Sequence, residues 1–275
     1  MRRVDLELLS AGRCYHPEAV AVAGGPWCPA CFPGGFALIR HPQHGAILFD
    51  TGYAPRFAAA TASWPERLYA LATPVEVGAG ESAVEQLVAR GIAARDVGLV
   101  IVSHLHADHI AGLRDFPAAR IACMRAAVAP LAGLGRFGAV RRGILPRLLP
   151  DDWRARLALL DERPARDLPG ALTALGRGLD VLGDGSLLAV PLPGHAAGHT
   201  GLLLRDGTGR LRLLVADACW RRRSYREDRP PHLVAGLITH DRAAYRQTLG
   251  RLHAVHRATP DIALVPSHCL EETPA

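Results

Sequence analysis

The hexapeptide His104-Leu105-His106-Ala107-Asp108-His109 concentrates three imidazoles and a carboxylate in one short stretch, a density that packing alone does not call for. His104 and His106 are two residues apart, so in extended backbone both side chains leave the same face and can share one metal ion. Ala107 takes little room, and Asp108 and His109 then turn toward a second position beside the first. The stretch follows residues 96–103, an apolar, β-branched run that reads as a buried strand, and precedes residues 110–113, which can open a helix. The C-terminal end of a buried strand is where open α/β sheets build their sites.

The same arrangement recurs further along the chain. Residues 186–190 lead into Pro193-Gly194-His195 and then His199, residues 213–216 end on Asp217, and residues 262–266 end on Ser267-His268. An apolar strand is thus followed four times by a residue that binds metals. Imidazole and carboxylate donors suit zinc, and the same set can hold iron or manganese.

Together with Leu48-Phe49-Asp50-Thr51-Gly52, these segments resemble, in their order, the metallo-β-lactamase-fold hydrolase superfamily over nearly the whole chain. Within it the likeness is greatest to the N-acyl-homoserine lactonases and similar small-ester hydrolases. The resemblance implies an α/β fold, a four-layer αββα sandwich of two mixed β-sheets, as one domain spanning residues 1–275. It implies that His104, His106 and His195 bind a first divalent ion, that Asp108, His109 and His268 bind a second, and that Asp217 bridges the two. Asp50 would lie behind the ligands and orient one of them, and His199 would stand beside the set rather than in it. The lactonases carry a tyrosine where Trp220 stands, and that phenol helps to hold the substrate carbonyl. Trp220 offers no hydroxyl there, and Tyr225 in the adjoining basic loop is the candidate replacement.

The activity expected is metal-dependent opening of a lactone or small ester. A water bridging two divalent ions becomes hydroxide near neutral pH and attacks a carbonyl polarised by one of them, while the other receives the leaving alkoxide. Asp108 is the candidate proton shuttle, and no serine or cysteine nucleophile is required. The alternatives are a thioester, phosphoester or organophosphate substrate, or persulfide oxygenation at a single iron. Diiron flavoproteins carry a carboxylate where His106 stands, and common zinc β-lactamases carry a cysteine where Asp217 stands, so both are disfavoured.

Length and composition fit an enzyme with a sizeable core. The 275 residues are 49% hydrophobic and 21% charged, enough for one large domain or a pair of fused halves. The formal charge of +6 comes from a chain that contains arginine but no lysine. With abundant Ala, Leu, Gly and Pro, this reflects GC-rich codon usage rather than a nucleic-acid partner. Asp5 and Glu7 interrupt the segment where a signal peptide needs an apolar core, and no run approaches 18 apolar residues. The expectation is a cytoplasmic enzyme acting on a small molecule, with neither nucleic acid nor membrane as partner and with a homodimer left open.

The elements that must position these residues follow in order. Residues 4–9, 36–41 and 46–50 read as strands, the last two joined by a turn. Trp27-Cys28-Pro29-Ala30-Cys31 can bind zinc with Cys14 and His16, but no second pair follows, so a structural or incidental role is preferred. Residues 53–80, with Tyr53, Phe57, Trp64 and Tyr69, can wall a substrate pocket. A helix is predicted over residues 81–91, a strand over 120–124, and two hairpins, one over 179–190 around Gly183-Asp184-Gly185 and one of 202–205 with 210–215 around residues 206–209. Residues 124–176, carrying Arg136, Arg141, Arg142, Arg147, Arg154 and Arg156, read as an inserted helical cap of two pieces, the second starting near Pro150. Most of these arginines are read as a solvated face, with attraction of an anionic substrate as the alternative. Residues 241–256 give the clearest amphipathic helix, capped by Asp241.

Overall fold

The structure is a computed structural model that describes residues 1–269. Its N-terminal half contains β1 (Arg3–Pro17), β2 (Pro29–His41), β3 (Gly45–Phe49), β4 (Val75–Glu76), β5 (Val97–Ile101), β6 (Arg120–Cys123) and β7 (Leu157–Leu159). The C-terminal half contains β8 (Ala165–Asp167), β9 (Arg177–Asp180), β10 (Leu187–Pro191), β11 (Thr200–Asp206), β12 (Leu211–Ala216) and β13 (Ala263–Pro266).

β1, β2 and β3 form an antiparallel meander, whereas β3, β5, β6 and β7 run parallel. The inner residues of β5 and β6 are buried, which is why Val, Ile, Leu and Ala dominate there without a polar alternation. β9–β10 and β11–β12 are antiparallel hairpins built on turns of Gly and Asp, β10 and β11 pair antiparallel across residues 192–199, and β13 closes parallel to β12.

Among the described residues all 13 strands join one mixed sheet, the halves meeting where β1 runs parallel to β11 at Arg3–Arg205 and Val4–Asp206. The sheet curls so that the two halves pack face to face. One apolar cluster lies between them and mixes Ile39, Ile47 and Phe49 with Leu187, Leu202 and Leu214. A second covers the other face of the N-terminal half through Leu38, Leu48, Val100 and Ile110. A third seats the helix Arg242–Ala258 on the C-terminal half through Leu249, Leu252 and Val255. Asp241 caps that helix by accepting from the Ala244 N–H, as its sequence predicts. The helix Ala83–Ala89 likewise begins in a Ser82–Glu85 capping box.

The segment 124–176 departs from the expected pair of helices. Short helices occupy Arg125–Val128 and Arg136–Arg141, but residues 151–156 are turns, and β7 and β8 follow at the edges of the sheet. Strands of three residues are too short to show any periodicity, so the Leu- and Ala-rich composition reads as helix. No described helix is long and apolar enough to cross a membrane.

Candidate metal centre

The strand tips converge at one end of the sheet. β5 ends at Ile101, and Ser103, 0% exposed, binds the next elements from both halves: its carbonyl accepts from the Thr200 N–H at the start of β11. The four-residue helix Ala107–Ile110 is fixed from behind by Thr51, whose N–H and hydroxyl both donate to the His109 carbonyl at 2.9 Å. His195 leaves a loop where Gly194 adopts φ +131°, and a side chain on Gly194 would run into the Tyr245 backbone. Gly35 plays the same part for His268, because a Cβ there would meet the Ser267 carbonyl of the final strand's tip. Asp217 follows Ala216, which is held at φ +46°.

Two groups of donors result, and they share one carboxylate. His104, His106, His195 and Asp217 form the first; Asp108, His109, Asp217 and His268 form the second. Within each group the ligand atoms all lie within 4.8 Å of one another. All seven side chains are buried. His195 Nε2 is 3.0 Å from His106 Nδ1 and 3.3 Å from Asp217 Oδ2. His109 Nε2 stands 3.2 Å from Asp108 Oδ2 and 3.5 Å from Asp217 Oδ1. His268 Nε2 stands 3.5 Å from Asp108 Oδ2 and 3.4 Å from Asp217 Oδ2.

Outer contacts aim these rings. Asp50 accepts from His109 Nδ1 at 2.8 Å and from the Ser103 N–H at 2.7 Å, which leaves His109 Nε2 to face the cluster. His268 Nδ1 donates to the Pro33 carbonyl at 2.8 Å, and Ser103 Oγ lies 2.9 Å from His104 Nδ1. His199 is not in either group; its Nε2 accepts from the Asp217 N–H at 3.1 Å. The Trp220 indole donates to Asp217 Oδ2 at 2.9 Å.

Burial and charge set the protonation. Burial, reinforced by His109, His106 and the other imidazoles, holds His104 well below the ordinary histidine range. Burial also depresses His195, and it lowers His199 to about 4. His109 goes the other way: burial lowers it, but Asp108, Asp50 and Asp217 more than offset that and leave it well above its ordinary value. His268 is also raised, since Asp217 and Asp108 outweigh its burial. Against the cost of burial, His268 and His109 keep Asp217 far below the usual carboxylate range.

The donor chemistry fits divalent ions. His104 Nε2, His109 Nε2 and Asp217 Oδ1 are buried without any hydrogen-bond partner. Such orphans are costly unless something binds them. Two carboxylates among five imidazoles match the hard and borderline donors that zinc, iron and manganese take.

Two cavities meet at the cluster across His106, His195 and Ile238. The narrower, about 70 Å³, reaches Asp108, Asp217 and His268 between Phe32, Tyr53, Tyr69 and Trp220. The wider, about 450 Å³, runs under residues 127–144 and beside residues 237–240. Cys14 also lines the narrow cavity, but burial, aided by Asp108, pushes its thiol up to about 12, which disables it as a nucleophile.

One sequence expectation is corrected here. Tyr225 does not reach the cleft: it is 2% exposed in the core beneath the helix Arg242–Ala258, and its hydroxyl donates to the Leu264 carbonyl at 3.2 Å. The phenols in the cleft are Tyr53 and Tyr69, from the loop that the sequence marked only as a wall. Cys28 and Cys31 are exposed and join no group of three ligands among the described residues. The orienting roles of Pro33, Ser103 and Trp220 carry no sequence signal; Pro33 and His268 are 235 positions apart.

The fold and this cluster define the class. Residues 36–268 match the metallo-beta-lactamase superfamily, and the chain belongs to that family and is a metal-dependent hydrolase. Over 211 residues it is 29% identical to the N-acyl homoserine lactonase AttM of Rhizobium radiobacter, covering 75% of this chain and 72% of that one. The lactonase of the same name from Azorhizobium caulinodans is 30% identical over the same shares. Among solved structures, an N-acyl homoserine lactone hydrolase with N-hexanoyl-L-homoserine bound at its catalytic metal centre is similar at a TM-score of 0.72 and 20% identity. That likeness covers 98% of this chain and 94% of that one. AidC, described as a dizinc quorum-quenching lactonase, is similar at 0.63 and 17% identity, over 100% and 94% of the chains.

Proposed function

We propose that this hydrolase opens a lactone or small ester at a binuclear centre. The observation that carries the reading is the pair of four-residue donor groups joined by Asp217. His104, His106 and His195 would hold one ion, Asp108, His109 and His268 the other, and Asp217 both. When bound, a pair of divalent ions supplies hydroxide near neutral pH and polarises a carbonyl oxygen.

The chain's own residues do the rest. Asp50 and the Pro33 carbonyl fix which nitrogen of His109 and His268 faces inward. Trp220 holds Asp217 Oδ2 and leaves Oδ1 free to bind. Asp108 lines the narrow cavity beside His109 and His268, within reach of both an attacking and a departing oxygen, and is the proton carrier. Tyr69, in the same cavity, supplies a phenol for the substrate carbonyl in place of the tyrosine that Trp220 replaces. Phe32 and Tyr53 reduce the access of bulk water. The three apolar clusters support reading the architecture as four layers, αββα.

Metal analysis followed by a panel of lactones, aryl esters, thioesters and phosphotriesters tests the reading. Two ions per chain, with the greatest kcat/KM on a lactone or ester, is the expected result. One iron per chain with oxygen uptake, or selective turnover of phosphotriesters, overturns it.

A further inference from the structure

The wide cavity carries cationic groups that the hydrolytic reading does not use. It is lined by Arg141 and Arg142 and by apolar Leu134, Ile144 and Leu237, and no carboxylate lines it. Three other arginines of the same segment pair with acids, Arg125 with Glu162, Arg136 with Glu66 and Arg156 with Asp152, and Arg147 and Arg154, which do not, line neither cavity. Arg141 and Arg142 have no carboxylate partner among the described residues. Both are exposed at the rim of the cavity, where guanidinium groups with no carboxylate partner can take a bound anion through charge-assisted hydrogen bonds. Their distance from the chemistry is short in chain terms. Gly143, next to Arg142, lies so close to the His106 ring that a side chain there would collide with it. At about 450 Å³ the cavity has the size of a small-molecule site, whereas the narrow one at about 70 Å³ accommodates little more than the reacting group.

Resting on the hydrolase reading above, we infer that the substrate is an amphiphilic anion. Its scissile carbonyl lies at the His106–His195 end, its acyl or alkyl body lies along Leu134, Ile144 and Leu237, and its acidic group is held by Arg141 and Arg142. A neutral acyl chain would make no use of the two guanidinium groups at the cavity rim.

Binding and turnover test this separately. The first measurement is calorimetric titration of metal-loaded protein with 1-octanesulfonate, whose head group is a weak metal ligand. Binding weakens at least roughly tenfold in the Arg141→Gln/Arg142→Gln double variant and is largely kept in the Arg141→Lys/Arg142→Lys one. Equal binding by wild type and the Gln variant, or no binding by wild type, overturns the inference. The second measurement compares the 4-nitrophenyl esters of octanoic acid and of octanedioic acid. Wild type prefers the anionic ester, chiefly through KM, and the ratio of the two kcat/KM values falls toward one in the Gln variant; a ratio that does not move overturns the inference. If wild type cleaves neither ester yet binds the sulfonate through the arginines, the anion site stands and the ester-hydrolase reading falls.

Discussion

Asp217 is the residue on which both donor groups depend, and its surroundings serve to hold it still. Its backbone N–H is fixed by His199, one oxygen is fixed by Trp220, and Ala216 before it is kept in a left-handed conformation that costs about 1–3 kcal/mol. Asp217→Asn and His106→Ala are therefore expected to lower metal content and turnover together, read by elemental analysis beside a hydrolysis assay. Full turnover with either variant contradicts the assignment. Asp50 touches no substrate, so Asp50→Asn is expected to weaken metal affinity by roughly 10–100-fold without altering the fold, as measured by competition with a chromogenic chelator. Protonation adds a further consequence. In the metal-free chain His109 is raised above its unfolded value, so its stabilising charge is present at low and neutral pH and is lost as pH rises through the folded value. Asp217 is depressed, so its contribution is present above the unfolded carboxylate value and is lost as pH falls through the folded one. Metal-free protein is thus expected to melt at lower temperature at about pH 10 than at about pH 7, more steeply than metal-loaded protein, and metal binding at neutral pH is expected to release protons. Proton release shows as a buffer-dependent enthalpy in calorimetry; an enthalpy that does not vary with buffer removes this account.

At the level of elements, the strands deliver the donor residues and glycines let their tips approach. β5, β10, β12 and β13 are rich in aliphatic residues because they are buried, and each ends where the chain must turn into polar chemistry. Gly194 is the sharpest constraint, since its φ of +131° and the Tyr245 backbone both exclude a side chain. Gly194→Ala is expected to destabilise by about 1–3 kcal/mol, several degrees in Tm by scanning calorimetry, and to displace His195. Unchanged stability would mean that the loop moves freely, at odds with the His240 N–H that donates to the His195 carbonyl at 2.9 Å.

Across the whole molecule the donors come from both halves of the sheet: His104 to His109 from the first, and His195, Asp217 and His268 from the second. Bound ions would therefore tie together halves that otherwise meet through the β1–β11 pairing and the apolar layer between them. Free metal at about 1,000 times Kd adds about 4 kcal/mol to stability, so chelation is expected to lower Tm on the order of ten degrees, reversibly on adding metal back. A Tm that ignores chelation in a protein stripped of metal would show that the halves do not need the site. The metal-type residues and their strands were legible in the sequence because a donor at the end of an apolar run is a local pattern, readable within about ten residues. The same holds for the cap of the last helix, whereas the role of Asp50 follows from the family resemblance alone, because a turn-capping aspartate has the same local pattern. Tertiary structure alone decided which way those donors face and what surrounds them. Tyr225 and Tyr69 are both tyrosines near turns, and only the packing of Leu249, Leu252 and Leu264 puts the first in the core while the cleft receives the second. Residues 150–167 became turns and short edge strands because a neighbouring strand was free to pair, and Arg141 and Arg142 face a cavity because residues 127–144 fold over it. Contacts between residues far apart in the chain leave no trace in local spacing, which is why the candidate donors could be picked out in the sequence and the pocket could not.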